Sequence, residues 1–425
     1  MPWLETDVRD QRIQFVLTVR RGTATVSETC RAFGISPKTG YKWLKREAAA
    51  GSVAVLADRS RRPHHSPRRT PAAVVQRLGE LRAQFGWGGA KLAVLMAAEG
   101  SALTPRTIDR WIQREGWTRT DSAPAPALQR FTHAAPNDLW QMDAKGAYPL
   151  EHRQRCHTLS VLDDHSRFVV GLTPLLTLQT DPVRAALIRS FERYGVPAAM
   201  LMDHGAPWWS TQGPAGLTRL GVFLLKQGIR LVFGAVRHPQ TQGKVERFHR
   251  TLAERLRWVG VPTTLTGFRR TLAWFRTEYN EVRPHAALGL TPPAAHFTPS
   301  GRPYCATPRA WSYPEGLEVR RVHETGVIKV AGEPYFISEA LSGEDVACLP
   351  LANRIVVIYR HMYVRELHPR RRQSVALMQP VDGAWPLTVA PDVLPMSCRR
   401  TLQTALPLAS SLWPRAPRDP VGPRR

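Results

Sequence analysis

The spacing of apolar residues changes twice along this chain, and a change of hydrophobic period forces a change of backbone. Up to residue 115 apolar side chains recur every three or four positions, as on helices; from 139 to 172 they fall in short strand-like runs; from 181 to 258 helical and strand-like segments alternate. Beyond residue 314 only short runs punctuated by turn residues remain. A single layer type cannot serve all three patterns, so the order predicts an all-α front, a mixed α/β middle and an all-β end. A length of 425 residues gives each part room for a core.

In the front part, residues 8–19 set Ile13, Val16 and Leu17 on one helix face, and Val26, Cys30 and Phe33 continue at helical spacing. Gly34-Ile35-Ser36 then turns. Ser36 offers an N-cap oxygen and Pro37 a preset first-turn φ for a third helix over 37–47. This is helix-turn-helix grammar. With Trp43 and Leu44 turned inward, Lys38, Thr39, Tyr41, Lys42 and Lys45 remain for a DNA groove and its phosphates. After the basic stretch ADRSRRPHHSPRRT (57–70) the pattern repeats: Thr70-Pro71 opens one helix, 90–99 forms another, and Thr104-Pro105 opens 106–115. There Ile108, Trp111 and Ile112 point inward and Arg106, Thr107 and Arg110 outward. Two tandem helix-turn-helix domains are therefore expected, 1–56 and 71–120, with linkers at 57–70 and 121–130.

Strands are expected at 139–146, 156–162 and 168–172, then a helix at 181–194, a strand at 198–202, a helix near 214–227, a strand at 230–236 and a long helix over 241–258. Together they describe a mixed-sheet α/β domain, residues 131–298. The short runs after it suggest a small β-barrel at 299–368, and an Arg/Pro-rich tail fills 369–425.

Composition narrows the partners. Lys and Arg number 59 against 34 Asp and Glu, a formal charge of +25, while 43% hydrophobic content and 13 Trp require packed domains. Nucleic acid is the leading partner for such a chain. No uncharged apolar stretch approaches the ~20 residues of a membrane span, and the first residues lack a signal-peptide pattern, so a cytoplasmic, nucleoid-associated protein is expected. Five scattered cysteines without a C-x-x-C pair point to reduced thiols.

Among so many cations the informative residues are carboxylates in unusual places. Asp143 sits mid-strand, where Asp is disfavoured. Asp203 ends an apolar strand, the edge at which α/β sheets place ligand groups. Glu246 lies beside the stripe Val245, Phe248, Leu252, Leu256 on the long helix. Lys244 and Arg247 flank it, and His249 and Arg250 share its side of the helix, so that this helix could grip phosphates. Asp163 and Asp164, in a DDHS hairpin, are rival acids, although a tight turn also favours them.

In their surroundings these acids resemble the DDE transposase and retroviral-integrase catalytic core, specifically transposases of bacterial insertion sequences with a paired helix-turn-helix front end. The matching words are DLWQMDAKG (138–146), LDDHSRFVVG (162–171), LMDHG (201–205), HPQTQGKVERFHRTL (238–252) and NEVRPHAALGLTPPAAHF (280–297). The resemblance implies an RNase H-like fold in which Asp143, Asp203 and Glu246 are catalytic and hold two Mg²⁺ ions, with Mn²⁺ able to substitute. It also implies cleavage and strand transfer of double-stranded DNA at element ends and target, by a homo-multimer that pairs the ends. Three hard oxygen donors suit such ions, which activate a nucleophile and neutralise phosphate charge. The acids stand 60 and 43 residues apart, the second interval being long for the family, and His204 replaces the usual Asn. The alternative is a catalytically silent remnant acting as a sequence-specific DNA-binding regulator.

Overall fold

A computed structural model describes residues 7–58, 69–118, 132–210, 216–233, 243–308 and 310–381. The chain forms two compact units that divide at Ala72/Ala73.

The first unit contains α1 (Val8–Arg20), α2 (Val26–Ala32) and α3 (Pro37–Ala50). Thr25 and Glu28 form a reciprocal capping box at the start of α2, and Ser36 caps α3 through the amide of Thr39. Phe15, Val16, Cys30, Trp43 and Leu56 make the core. Gly40 lets α3 approach so closely that a Cβ there would lie 2.4 Å from Cys30 Sγ and 2.9 Å from Phe15 Cζ. Trp43 is buried beneath the guanidinium groups of Arg12 and Arg46, 4.1 and 4.7 Å from its ring centre.

The second unit begins with α4 (Ala72–Phe85), α5 (Gly89–Ala98) and α6 (Pro105–Arg114). As expected from Thr104-Pro105, the Thr104 hydroxyl caps α6. Leu78, Leu81, Leu92, Met96, Ile108 and Ile112 fill the space between the three helices. Arg82 ties the ends of this layer together, donating to the carbonyls of Gly86, Trp87 and Trp117.

The α/β core follows as β1 (Trp140–Pro149), β2 (Arg155–Asp163), β3 (Val169–Leu175), α7 (Thr180–Tyr194), β4 (Ala199–Met202), α8 (Arg219–Lys226), β5 (Arg230–Phe233), α9 (Gly243–Val259) and α10 (Leu265–Thr277). The sheet order is β3-β2-β1-β4-β5. The first three strands pair antiparallel, while β4 joins β1, and β5 joins β4, in parallel. Trp140, Met142 and Val161 face α7 and α8 through Leu187, Phe191 and Leu224. Leu162 and Val169 face α9 and α10 through Phe248, Leu252, Phe268 and Phe275. Such burial contributes about 1.5–3 kcal/mol per large side chain. Helix α10 was not anticipated from the sequence, although Phe268, Leu272 and Phe275 recur at helical spacing behind the Thr264 N-cap. It runs into a π-helical turn, Glu278–Val282, where Glu278 makes a buried 2.7 Å ion pair with Arg255 of α9.

The C-terminal part departs from the expected barrel. β6 (Glu318–Arg321), β9 (Asp345–Leu351), β10 (Arg354–Tyr359), β11 (Met362–His368) and β12 (Gln373–Pro380) form an antiparallel sheet in the order β12-β11-β10-β9-β6, while β7 (Val327–Val330) and β8 (Glu333–Phe336) pair as a separate hairpin. Among the described residues no ladder joins β6 to β12, so the sheet is open. β12 lies in the segment expected to be tail: Arg370–Arg372 form a tight turn, not the start of a solvated arm, and the chain returns to pair with β11. The sheet docks on α8, sharing its apolar core and adding the Lys226–Glu344 ion pair at 2.5 Å. The Ser/Pro linker 121–130 and the tail beyond 381 lie outside the described residues, as does most of the linker 57–70. Among the described residues no helix is long and apolar enough to cross a membrane.

Candidate active site

The two aspartates are related by the sheet itself. β1 and β4 pair in parallel with Trp140 opposite Met200 and Gln141 opposite Leu201, an offset of 60 residues. Continuing that register beyond the ladder sets Asp143 level with Asp203, with both side chains on the same face. The interval between the aspartates thus equals the offset between the strands that carry them.

Asp143 is half-buried. Its Oδ1 accepts the Ala144 amide at 2.8 Å, and its Oδ2 lies 3.4 Å from Nδ1 of His249. His249 is buried in α9, and its Nε2 hydrogen-bonds the Ser160 hydroxyl at 3.0 Å. Ser160 is the antiparallel partner of Asp143 on β2. One imidazole therefore spans from the long helix to both strands, and fixes the helix that carries Glu246 over β1. Glu246 itself is exposed in the first turn of α9.

Asp203 lies one residue beyond β4. Its Oδ1 accepts the Gly205 amide at 2.9 Å and the indole N–H of buried Trp208. A Cβ on Gly205 would fall 2.9 Å from that same oxygen. The neighbouring His204 packs edge-on against Trp209, with ring centres 4.6 Å apart, and both rings meet Phe233 at the end of β5. The adjacent Trp208 and Trp209 thus supply both a donor to Asp203 and a wall beside it. Residues 211–215 of that loop lie outside the described residues.

Asp163 and Asp164 are fully buried. Asp163 accepts from the amides of Asn137 and Ser166 and from the Ser166 hydroxyl, while burial pushes its carboxyl above the usual range. Asp164 accepts from the His133 amide, from Gln141 Nε2 and from the Lys244 ammonium at 2.6 Å. Both acids hold the hairpin and the start of α9 in place. Lys244, a candidate phosphate contact, is committed to this pair, and burial lowers its ammonium to about 8. Arg247 and Arg250 are exposed on α9, as are Lys38, Tyr41, Lys42 and Lys45 on α3 and Arg106 and Arg110 on α6. Thr39 and Thr107 are half-buried and their hydroxyls face the N-cap oxygens of Ser36 and Thr104 at 3.0 and 2.9 Å.

The chemistry of the donor set fits divalent cations: Asp143, Asp203 and Glu246 offer only hard carboxylate oxygens. Among the described residues no three His, Cys, Asp or Glu side chains stand close enough together to hold an ion. Asp143 and Asp203 are brought level, and Glu246 is carried on the helix held over β1.

A five-stranded mixed sheet flanked by helices on both faces, with aspartates level on the central strand β1 and at the end of its neighbour β4, fits an integrase-like RNase H core. Residues 133–239 and 227–293 each match the Integrase core domain family, and residues 11–64 match a Helix-turn-helix domain. The chain is 26% identical over 239 residues to a 31.7 kDa protein of insertion element IS407 from Burkholderia multivorans, covering 55% of this chain and 82% of the relative. It is 24% identical over 254 residues to the putative transposase y4bF of Sinorhizobium fredii, covering 58% of this chain and 55% of that one. Among solved structures it is similar to the catalytic core domain of BIV integrase, with 22% identity, a TM-score of 0.29, and 37% of this chain and 92% of that chain covered. A magnesium complex of the HTLV-2 integrase catalytic core domain gives 17% identity and a TM-score of 0.30, covering 39% and 99%. The chain thus carries matches to an integrase core and to an N-terminal helix-turn-helix domain, and is similar to proteins of bacterial insertion elements.

Proposed function

We propose that this chain is a transposase that binds the terminal inverted repeats of a mobile element and carries out DNA strand cleavage and strand transfer with Asp143, Asp203 and Glu246. The observation that carries this reading is the shared level of Asp143 and Asp203 on parallel strands, beneath the helix that bears Glu246. Phosphodiester transfer needs an activated oxygen nucleophile, a stabilised leaving oxygen and neutralised phosphate charge; two Mg²⁺ ions, or Mn²⁺ in their place, held by the three carboxylates would supply these.

The chain's own residues do the remaining work. Trp208 and the Gly205 amide orient the Asp203 carboxylate, and His249 and the Ala144 amide orient that of Asp143. Cleavage frees a DNA 3′-hydroxyl, which then attacks the target phosphodiester, so no bond between protein and DNA forms. Exposed cations on α3, α6 and α9 supply phosphate contacts on the element ends and target, and a homo-multimer pairs the two ends.

The test compares wild-type and Glu246→Gln protein on a duplex carrying an element end, with Mg²⁺ or Mn²⁺. Cleavage by the wild type that the variant loses supports the reading. Equal behaviour, with binding retained, would instead make the chain a DNA-binding regulator without turnover.

A further inference from the structure

A cavity of about 500 Å³ lies between α5 and α9, lined by Trp87, Lys91 and Asp109 on one side and by Glu254, Arg255 and Arg283 on the other. Two of its cations make no ion pair within 4 Å among the described residues, although the Glu254 carboxylate on the facing wall acts on both. Arg283 and Lys91 lie 5.5 and 6.0 Å from the ring centre of Trp87, and neither makes an ion pair. Trp87 is 5% exposed, stacked on Phe85 at 4.4 Å, and its indole N–H is buried with no hydrogen-bond partner. Arg255 gives two nitrogens to the Gln84 carbonyl and to Glu278, but its Nε is also buried without an acceptor.

An unmade buried hydrogen bond costs about 1–3 kcal/mol, and crowded like charges add to that. Burial, with Arg283 next in effect and Glu254 opposing, lowers the Lys91 ammonium to about 7. The Asp109 carboxylate is occupied by the Gly89 amide at 2.9 Å. Glu254 opposes this crowding, but Arg283 and Arg247 together outweigh it at Lys91, so the pocket favours a further anion able to accept several hydrogen bonds. Eight residues of helix, about 12 Å, separate Glu254 from Glu246, so an anion held here sits two turns along the helix of the active site.

We propose that this pocket seats one phosphodiester phosphate of DNA between Lys91 and Arg283. The proposal rests on the DNA-transposing role above and names a contact between DNA and the second three-helix layer, beside the exposed arginines of α6 and α9. A phosphate fixed there holds the duplex along α9 toward Asp143.

The experiment is lysine acylation of the full chain, read by mass spectrometry, alone, with a short DNA duplex and with inorganic phosphate. With duplex at ten times its Kd, Lys91 labelling should fall about tenfold. In parallel, Lys91→Met should lower the slope of log affinity against log salt by about 1, and Lys91→Arg should restore it. Unchanged Lys91 labelling while Lys42 becomes protected overturns the pocket assignment and leaves DNA binding standing. Protection by inorganic phosphate but not by duplex also overturns it, in favour of a free-anion site. A wild-type chain that binds no duplex and protects no lysine contradicts the proposed function as well.

Discussion

Nδ1 of His249 lies 3.4 Å from Oδ2 of Asp143, while the other nitrogen of the same ring bonds Ser160 on the adjacent strand. A helix residue 106 positions away in sequence thereby holds the central carboxylate of the site against its own sheet.

Replacing that ring should loosen the helix from the strands. His249→Ala removes a buried side chain and its bond to Ser160, and should destabilise the protein by about 1–3 kcal/mol. Denaturant unfolding measures this, and a change within 0.5 kcal/mol, the size of an ordinary surface substitution, would show that His249 does not brace α9.

Gly205→Ala acts on one carboxylate and leaves the core alone. The added methyl would lie 2.9 Å from Asp203 Oδ1, and Asp203 is the group that must move. Thermal stability should change little while strand cleavage falls by at least about tenfold, equivalent to 1.4 kcal/mol of barrier. Full cleavage activity would mean that Asp203 need not hold its observed position.

Two imidazoles, buried His361 and half-buried His285, set the acid limb of stability. Burial lowers His285 to about 3 and His361 to about 4, against an ordinary 6.5. Between those values the unfolded chain binds protons that the folded chain refuses, so the stability gained from the neutral rings is complete above pH 6.5 and is lost as pH falls toward 3. Chemical-denaturation midpoints should drop across that window, and His285→Gln should flatten the drop. An unchanged slope would contradict the assignment.

On α3, Lys42 is exposed beside the Trp43 ring, with its ammonium 5.0 Å from the ring centre. Lys42→Ala should lower the salt slope of DNA binding by about 1, with helicity unchanged in circular dichroism. An unaltered slope would remove Lys42 from the contact surface.

Much of this was legible in the residues, because its determinants are local. Ser36-Pro37 and Thr104-Pro105 marked helix starts by capping chemistry, and Asp143, Asp203 and Glu246 were conspicuous as carboxylates beside apolar runs. What escaped detection depends on long-range contact. No local pattern says that Asp164 reaches Lys244, that His249 meets Asp143, or that Trp208 turns its N–H to Asp203. Helix α10 carries a local signal in the helical spacing of Phe268, Leu272 and Phe275. The strand Gln373–Pro380 was hidden behind Arg370–Arg372, a basic run that forms a turn. The cavity at Lys91 exists because α9 is tied to the end of α4, over 150 residues away in sequence, by bonds from Arg255 and Trp258 to the carbonyls of Gln84 and Ala83.

Under the proposed function Asp143 works in chemistry and not in binding, and Asp143→Asn separates the two. With Mg²⁺ and a duplex bearing an element end, the variant should bind like the wild type and yield neither cleaved nor joined strands. Cleavage at the wild-type rate by Asp143→Asn would remove Asp143 from the chemistry.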